Sequence, residues 1–461
     1  MRYISTRGGG APLDFEAAML SGLARDGGLY VPESWPTMPR EEIAALAGAP
    51  YEEVAFRVMR PFIGGAFSDP EFRGLIDAAY SGFGHRLRAP LVQIGEETFL
   101  LELHHGPTLA FKDVAMQLIG RLFEAALARK GERVTIVGAT SGDTGSAAIE
   151  AFRGSAVADC FILYPHGRVS EVQRRQMTTP AEPNVHAIAV EGDFDACQAA
   201  VKAMFNDHEW RDRMRLAAVN SINWARVLAQ AVYYFTAAIA LGAPGRALSF
   251  AVPTGNFGDI YAGYVAKRMG LPVDRLVIAT NRNDILHRTV ETGLHEKRGV
   301  APTSSPSMDI EVSSNFERLL FDLYGRDGAA IAALMARLGG NEAGFALSQE
   351  ALAALRAGFG SARFDEAEVS ALIGRLHRET GQLLCPHSAI GAGAALAHPG
   401  PSVALATAHA AKFPDAVEAA SGLRPALPPR MADLYERPER ITVAPNDIEA
   451  LKALIEGKSR A

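Results

Sequence analysis

The chain has 461 residues, of which 48% are hydrophobic and 21% are charged, and its formal net charge at pH 7 is −6. This length is sufficient for two or three domains with sizeable cores, and the composition is typical of a globular protein rather than a disordered one. The acidic balance and the lack of a long Lys/Arg block argue against a nucleic-acid-binding surface.

The cysteines and the N-terminus predict a cytoplasmic protein. Cys160, Cys197 and Cys385 are too far apart for a disulfide framework or a CxxC metal pair, so we predict reduced, buried thiols. Asp14 and Glu16 interrupt the N-terminal segment where a secretory signal would need an apolar core. No apolar run approaches the ~20 residues of a membrane span, so no membrane partner is expected.

Short apolar runs alternate with helix-like patterns after an N-terminal part of mixed pattern. The first ~95 residues are punctuated by prolines and predict a separate unit. The runs that we predict to be strands are residues 133–137, 160–164, 185–190, 248–252 and 403–406. Residues 296–310 predict a loop, and the Ala-rich stretch 328–375 predicts helix. The alternation favours an α/β fold with doubly wound, mostly parallel sheets, in which ligands bind at the carboxyl ends of the strands.

The turn PTGNFGD, residues 253–259, follows one of these strands. Gly255 and Gly258 remove side-chain bulk, and the helix that follows points its free N–H groups and positive dipole end at the turn. Such a turn suits a phosphate monoester. The alternative at this point is a tight strand-to-helix connection without a ligand.

A second turn, GATSGDTG, spans residues 138–145. It lacks the lysine of a Walker loop, and Thr140 stands where a nucleophile elbow has serine. The hydroxyls of Thr140, Ser141 and Thr144 could hold a second anion or a carboxylate, or they could cap the next helix.

Lys112 lies in the stretch HHGPTLAFKD, residues 104–113, directly after an apolar run. A lysine carried out of water favours its neutral, nucleophilic form and can form a Schiff base with an aldehyde cofactor. The alternative is a lysine that pairs with Asp113 or extends to the surface. An amine, a phosphate-binding turn and a parallel sheet are together what pyridoxal phosphate requires.

The histidines do not suggest a metal. His104 and His105 are adjacent, whereas His387 and His409 stand alone, and none has an HExxH partner set, so we predict no metal site. His409 fits either a pocket-lining position or a packed, capping one.

Five motifs in order, HHGPTLAFKD, TSGDTG, NSINWAR, PTGNFGD and TAHAAKF, resemble those of the threonine synthase family, and SGLARDGGLYVPESWP is similar to its opening segment. The resemblance covers nearly the whole chain and is greatest to the longer bacterial and fungal branch. It implies a fold-type II, tryptophan synthase β-like pyridoxal-phosphate enzyme. We divide the chain into an N-terminal domain (1–95), a large cofactor domain (96–130 and 241–461) and a small α/β domain (131–240).

The resemblance also implies roles for individual residues. The cofactor is pyridoxal 5′-phosphate, and its implied contacts are Lys112 as the Schiff-base lysine, the phosphate loop Gly255, Asn256, Phe257 and Gly258, Thr407 at the ring nitrogen, and Asp143 beside the ring. The implied contacts of the substrate's phosphate and carboxylate are Thr140, Ser141, Thr144, Asn220, Ser221 and Arg226. Ala410 stands where the family pattern has proline, which predicts a looser loop.

The implied reaction converts O-phospho-L-homoserine and water to L-threonine and phosphate, with Lys112 as the base and Arg226 offsetting the charge of the phosphate. One alternative is another fold-type II enzyme, such as a serine/threonine dehydratase or cysteine synthase, which usually has serine where this chain has Ala110. Others are a non-catalytic relative and a phosphate-binding protein without a cofactor. Whether the protein is a monomer or a homodimer stays open.

Overall fold

The computed structural model describes residues 1–340 and 343–461. The strands in chain order are β1 (Tyr3–Ser5), β2 (Tyr30–Pro32), β3 (Leu91–Gln93), β4 (Thr98–Glu102), β5 (Val134–Ala139), β6 (Ala158–Pro165), β7 (Val185–Val190), β8 (Leu216–Ala217), β9 (Leu248–Pro253), β10 (Val273–Thr280), β11 (Leu294–Glu296), β12 (Gly344–Ala346), β13 (Phe359–Arg363), β14 (Ser402–Ala406) and β15 (Thr442–Ala444).

The α-helices, in the same order, are α1 (Phe15–Ser21), α2 (Arg40–Ala45), α3 (Tyr51–Ile63), α4 (Asp69–Tyr80), α5 (Lys112–Lys130), α6 (Asp143–Phe152), α7 (Glu171–Thr178), α8 (Phe194–Asn206), α9 (His208–Arg213), α10 (Trp224–Ala240), α11 (Gly258–Arg268), α12 (Ile285–Thr292), α13 (Phe316–Leu323), α14 (Gly328–Gly339), α15 (Gln349–Gly358), α16 (Glu366–Thr380), α17 (Pro386–Ala397), α18 (Pro414–Ser421) and α19 (Ile448–Glu456).

The larger sheet has the strand order β13-β10-β9-β14-β4-β3. Its strands pair in parallel except for β3, which pairs antiparallel to β4 at one edge. β9, β14 and β4 are therefore neighbours whose carboxyl ends lie at the same edge of the sheet. The segments that follow these three strands carry the phosphate-loop candidate, Thr407 and Lys112.

The smaller sheet has the order β15-β7-β6-β5-β8 and is parallel throughout. β6 is buried along its whole length, as expected of a central parallel strand with helices on both faces. The turn at residues 140–143 follows β5, and Ser221 lies a few residues beyond β8. This sheet also directs the carboxyl ends of its strands towards the candidate site.

The N-terminal unit consists of the antiparallel pair β1–β2 and helices α1 to α4. Helix α10 packs against α3, α5 and α11 and so joins this unit to the larger sheet. Trp224, its first residue, is fully buried, and its indole N–H donates to the hydroxyl of Tyr3 at 3.1 Å. Its ring also lies 5.9 Å from that of Phe62. Because helix α10 is apolar on nearly every face, it can lie at the centre of the main core.

The structure confirms the α/β fold class and the five predicted strands, which are β5, β6, β7, β9 and β14. The prediction of helix through 328–375 is wrong in part, because β12 and the edge strand β13 interrupt it. Residues 341–342 of that stretch lie outside the described residues. Short strands flanked by alanine-rich helices have too few β-branched residues to stand out in the sequence.

The domain boundaries stay a prediction, although two strands pair outside their predicted domains. β3, predicted in the N-terminal domain, joins the larger sheet, and β15, predicted in the large domain, joins the smaller one. Within the described residues, no helix combines the length and apolarity needed to cross a membrane, and no cluster of His, Cys, Asp or Glu is arranged to hold a metal.

Candidate active site

Lys112 is the first residue of helix α5 and is 7% exposed, so its side chain is inside the protein. The loop before it is fixed to the segment after β14: the N–H of Phe111 donates to the carbonyl of Thr407 at 2.8 Å, and Ala110 pairs with Ala408. Leu109 is fully buried and has a φ of 64°, a left-handed conformation that costs energy for a residue with a Cβ. The backbone is therefore strained at Leu109, three residues before the buried Lys112.

Asp143, the first residue of helix α6, is the carboxylate that faces Lys112. Its Oδ2 lies 3.4 Å from the Lys112 Nζ, and its Oδ1 lies 2.9 Å from the Nζ of Lys412. The amide of Gln173 also donates to Oδ1, at 2.9 Å. Asp113, the other candidate partner of Lys112, accepts hydrogen bonds from the hydroxyl and the backbone N–H of Thr108, at 2.6 and 2.8 Å.

The pKa values follow from this arrangement. Burial lowers the pKa of Lys112, and although Asp143 acts in the opposite direction, the positive charges of Arg226 and Lys412 lower it further. For Asp143, burial alone would raise the pKa, but the two ammonium groups outweigh burial and hold the pKa below its usual value. The site therefore combines an ionised carboxylate with a lysine whose pKa lies below its usual value.

In the turn after β9, the structure gives a steric reason for glycine at position 255. A Cβ on Gly255 would lie 2.6 Å from the carbonyl oxygen of Ser307. The carbonyls of Gly255 and Asn256 accept hydrogen bonds from Ser313 and Asn315, so they have partners within the protein. In the part of the chain that the structure describes, the N–H groups of Gly255, Asn256 and Phe257 donate to no protein acceptor. These N–H groups are thus available to an anion at the start of α11.

Arg226, on helix α10, is a buried cation without a full set of partners. It is 3% exposed, and its Nε and Nη1 have no hydrogen-bond partner in the described chain. Burial lowers its pKa to about 10, so the guanidinium remains charged at neutral pH. A buried guanidinium with free donors is stabilised by a bound carboxylate or phosphate.

These groups line one cavity that opens to solvent. The sequence-predicted residues that line it are Lys112, Asp143, Thr144, Ser221, Arg226, Gly255, Asn256, Phe257, Gly258 and Thr407. A lysine amine, a turn of free N–H groups and a free guanidinium therefore face the same space. These groups have the chemistry to bind an aldehyde, its phosphate and a second anion.

Comparisons with known proteins agree with this geometry. Residues 85–405 match the family of pyridoxal-phosphate-dependent enzymes, 2–80 match the threonine synthase N terminus, and 388–455 match the threonine synthase C-terminal family. A threonine synthase from Pseudomonas aeruginosa is 54% identical over 460 residues, covering 99% of this chain and 98% of that protein. The chain belongs to the threonine synthase family.

Solved structures of this family share the whole fold. The crystal structure of pyridoxal-phosphate-bound threonine synthase from Brucella melitensis is 55% identical in sequence, with a TM-score of 0.96 over 100% of both chains. Threonine synthase from yeast is 39% identical, with a TM-score of 0.92 over 99% of this chain and 98% of that one. The predicted fold-type II class is thus confirmed.

Three predicted substrate contacts do not line the cavity of this threonine synthase family member. The hydroxyl oxygen of Thr140 accepts hydrogen bonds from the N–H groups of Gly142 and Gly145, at 2.9 and 2.8 Å, and so fixes the turn itself. Ser141 is half-buried and Asn220 is exposed, and neither is among the lining residues. Their contact with a substrate stays a prediction.

Several residues at the site were not assigned a role from the sequence. They are Lys412, Gln173, Asp259 and His387. His387 lines the cavity, and its Nε2 accepts a hydrogen bond from the Ser307 N–H at 3.2 Å. Burial lowers the pKa of His387 to about 3, so the ring is neutral. Two of these residues lie in motifs that were recognised in the sequence: Asp259 in PTGNFGD and Lys412 in TAHAAKF.

Two expectations about the segment after β14 can now be compared with the structure. His409 has a capping role: its Nδ1 accepts from the N–H of Ala411 at 3.1 Å, and its ring lies 5.3 Å from that of His104. Ala410 is buried, and the backbone before it pairs with Ala110 and Leu384. The loop is therefore paired on both sides despite the missing proline, and its predicted looseness stays a prediction.

The lining residues fit pyridoxal phosphate. The aldehyde needs an amine, which Lys112 provides in a buried position. The phosphate needs unpaired donors without side-chain bulk, which the turn at Gly255 provides. A ring nitrogen can bond to the hydroxyl of Thr407, which is 4% exposed and lines the cavity.

Proposed function

We propose that this protein converts O-phospho-L-homoserine and water to L-threonine and inorganic phosphate, with pyridoxal phosphate as its cofactor. The observation that carries the proposal is the shared cavity of Lys112, the free N–H groups at Gly255 and the unpartnered guanidinium of Arg226. Membership of the threonine synthase family supports this reaction over a dehydratase, a cysteine synthase, a non-catalytic relative or a cofactor-free phosphate-binding protein.

The cofactor would be held by Lys112, the loop Gly255–Gly258, Thr407 and Asp143. When bound, it supplies an aldehyde that links covalently to an amine and a ring that stabilises negative charge on the adjacent carbon. Lys112 can remove and return protons, because burial favours its neutral form and the cavity keeps its amine close to the substrate. Asp143 orients that amine and, being paired also with Lys412, stays ionised while doing so.

The substrate's anionic groups would be held by Arg226, Ser221 and Thr144, which all line the cavity. Arg226 can bind a phosphate through two parallel N–H···O bonds and so stabilise the phosphate as it leaves. A phosphate retained beside Arg226 can accept a proton from the attacking water. Helix α10 holds Arg226 rigidly, because the helix lies in the main core.

The proposal extends to the location of the protein, the cytoplasm. Its cysteines, Cys160, Cys197 and Cys385, are buried and unpaired, which suits a reducing compartment. The substrate is a small molecule, and the assembly is either a monomer or a homodimer.

The decisive experiment is incubation of purified protein with O-phospho-L-homoserine, with and without pyridoxal phosphate. We expect threonine and phosphate in equal amounts, and only when the cofactor is present. Incubation with threonine tests the dehydratase alternative, because a dehydratase would release ammonia from threonine. Ammonia from threonine without threonine from phosphohomoserine would overturn the proposal.

A further inference from the structure

Asp259 is a buried carboxylate that the proposed function does not use. It is the second residue of helix α11, directly after the phosphate-loop candidate, and it is 7% exposed and lines the cavity. Its Oδ1 accepts hydrogen bonds from the hydroxyls of Tyr233 and Tyr234, the latter at 3.1 Å. Its Oδ2 has no partner in the described chain. A buried polar atom without a partner calls for an explanation, and for an atom of a residue that lines the cavity a bound ligand is one.

Arg226 lies on the same helix as the two tyrosines and lines the same cavity. Its Nε and Nη1, like the Oδ2 of Asp259, have no hydrogen-bond partner in the described chain. Two buried groups of opposite charge that leave their polar atoms unpaired are suited to a third group between them. That group must offer acceptors to Arg226 and one shared proton to Asp259.

A phosphate monoester meets both requirements. Burial raises the pKa of Asp259 to about 7, even though hydrogen bonds from Tyr233 and Tyr234 and the charges of Lys112 and Arg226 lower it. The second pKa of a phosphate monoester is about 6. When two acids with similar pKa values lie together, their repulsion makes the pair hold one proton in common rather than ionise fully.

We infer that Asp259 shares one proton with a phosphate monoester group bound beside Arg226, and that it thereby positions this group. The proton comes from solvent on binding and forms an O–H···O bond between the carboxyl and a phosphate oxygen. The inference rests on the proposed function for the identity of the ligand. Two phosphates are available to such an enzyme, that of the substrate and that of the cofactor, and both have this chemistry.

The test measures proton uptake by calorimetry in buffers of different ionisation enthalpy. One arm titrates the holoenzyme with propyl phosphate, which has no amine; the other titrates cofactor-free protein with pyridoxal phosphate and, as a control, with pyridoxal. The variants are Asp259→Asn, whose amide cannot take up a proton, and Tyr233→Phe. Asp113→Asn removes a buried acid that does not line the cavity and serves as the matched control.

We expect the wild-type protein to take up a fraction of a proton, on the order of 0.5, in one arm at pH 7.5, and Asp259→Asn to take up almost none. Proton uptake with propyl phosphate would show that Asp259 shares its proton with the substrate's phosphate. Proton uptake with pyridoxal phosphate but not with pyridoxal would show that the partner is the cofactor's phosphate. Tyr233→Phe should move the uptake to higher pH, because loss of the hydrogen bond raises the pKa of Asp259.

Equal proton uptake by the wild-type and Asp259→Asn proteins in both arms would overturn the inference. Uptake lost equally in Asp113→Asn would also overturn it, since the effect would not belong to the cavity. Threonine formation by the wild-type protein is measured on the same sample. Normal threonine formation without Asp259-dependent uptake refutes only this inference, whereas absent threonine formation counts against the proposed function.

Discussion

Replacement of Lys412 by methionine should slow the reaction of Lys112 with the cofactor, although Lys112 itself is unchanged. Lys412 is fully buried, and its Nζ donates to the carbonyl of Thr108 at 2.7 Å and pairs with Asp143 at 2.9 Å. Methionine has a similar length but carries no charge. After the substitution, Asp143 keeps only Lys112 and Gln173 as partners among the contacts described above.

The magnitude follows from the charges. Two ammonium groups on opposite oxygens of one carboxylate lie roughly 6 Å apart, and at an effective dielectric constant of about 20 they repel by about 3 kcal/mol. Without Lys412 the pKa of Lys112 rises, so a smaller fraction of its amine is neutral at pH 7. Since about 1.4 kcal/mol corresponds to a factor of ten, cofactor capture should slow by about tenfold to a hundredfold.

The assay follows the visible absorbance that develops when cofactor-free protein meets pyridoxal phosphate, between pH 6 and 9. The rate deficit of Lys412→Met should be largest at low pH and should narrow as the pH rises, because the neutral amine is restored. The thermal midpoint should also fall, since breaking a buried ion pair costs about 3 kcal/mol or more. Lys130→Met is the matched control, because Lys130 ends helix α5, which begins at Lys112, but pairs with Glu16 at the surface. Capture by Lys412→Met at wild-type rates across this pH range would refute the reasoning.

Other substitutions test the remaining parts of the site. Lys112→Ala should abolish turnover, and borohydride reduction followed by mass spectrometry should find the pyridoxyl group on Lys112 only in the wild-type protein; a label elsewhere would contradict the assignment. Gly255→Ala should weaken cofactor binding about tenfold or more, because its Cβ would press on the Ser307 carbonyl, whereas Gly65→Ala, with open space around it, should change nothing in the same titration. Arg226→Lys should raise the KM for O-phospho-L-homoserine about 10- to 100-fold, because lysine keeps the charge but loses the paired hydrogen bonds; an unchanged KM would remove Arg226 from the phosphate site.

The parts of the site that the sequence could predict are those with a local signal. An apolar run that ends in a glycine-rich turn predicts β9 and the turn at Gly255, because both the strand and the turn are set by residues within a short window. The apolar residues before Lys112 left a buried lysine and a surface or Asp113-paired lysine both open, and the combination with the glycine-rich turn and the parallel sheet favoured the buried one. The structure adds the reason for Gly255, which is the carbonyl of Ser307.

The parts that could not be predicted depend on contacts between distant segments. Lys412 and Asp143 meet only because β14 and β5 direct their following residues towards one cavity. The direction in which each side chain of a turn points is equally hard to infer from the sequence. Asn220 and Ser221 are adjacent, yet Asn220 is exposed and Ser221 lines the cavity. A motif therefore identifies the segment that forms a site, and the backbone decides which of its side chains reach the ligand.

The charges in the cavity explain why these contacts are kept despite their cost. Lys412 and Arg226 are buried beside Lys112, whose pKa is lowered, while Asp143 is held in its ionised form and the pKa of Asp259 is raised. Burying charge without a partner is strongly unfavourable, so an excess of positive charge is tolerated only where a ligand offsets it. A cofactor phosphate and the phosphate and carboxylate of a substrate would supply that negative charge. The buried charges that line the cavity therefore favour an anionic ligand.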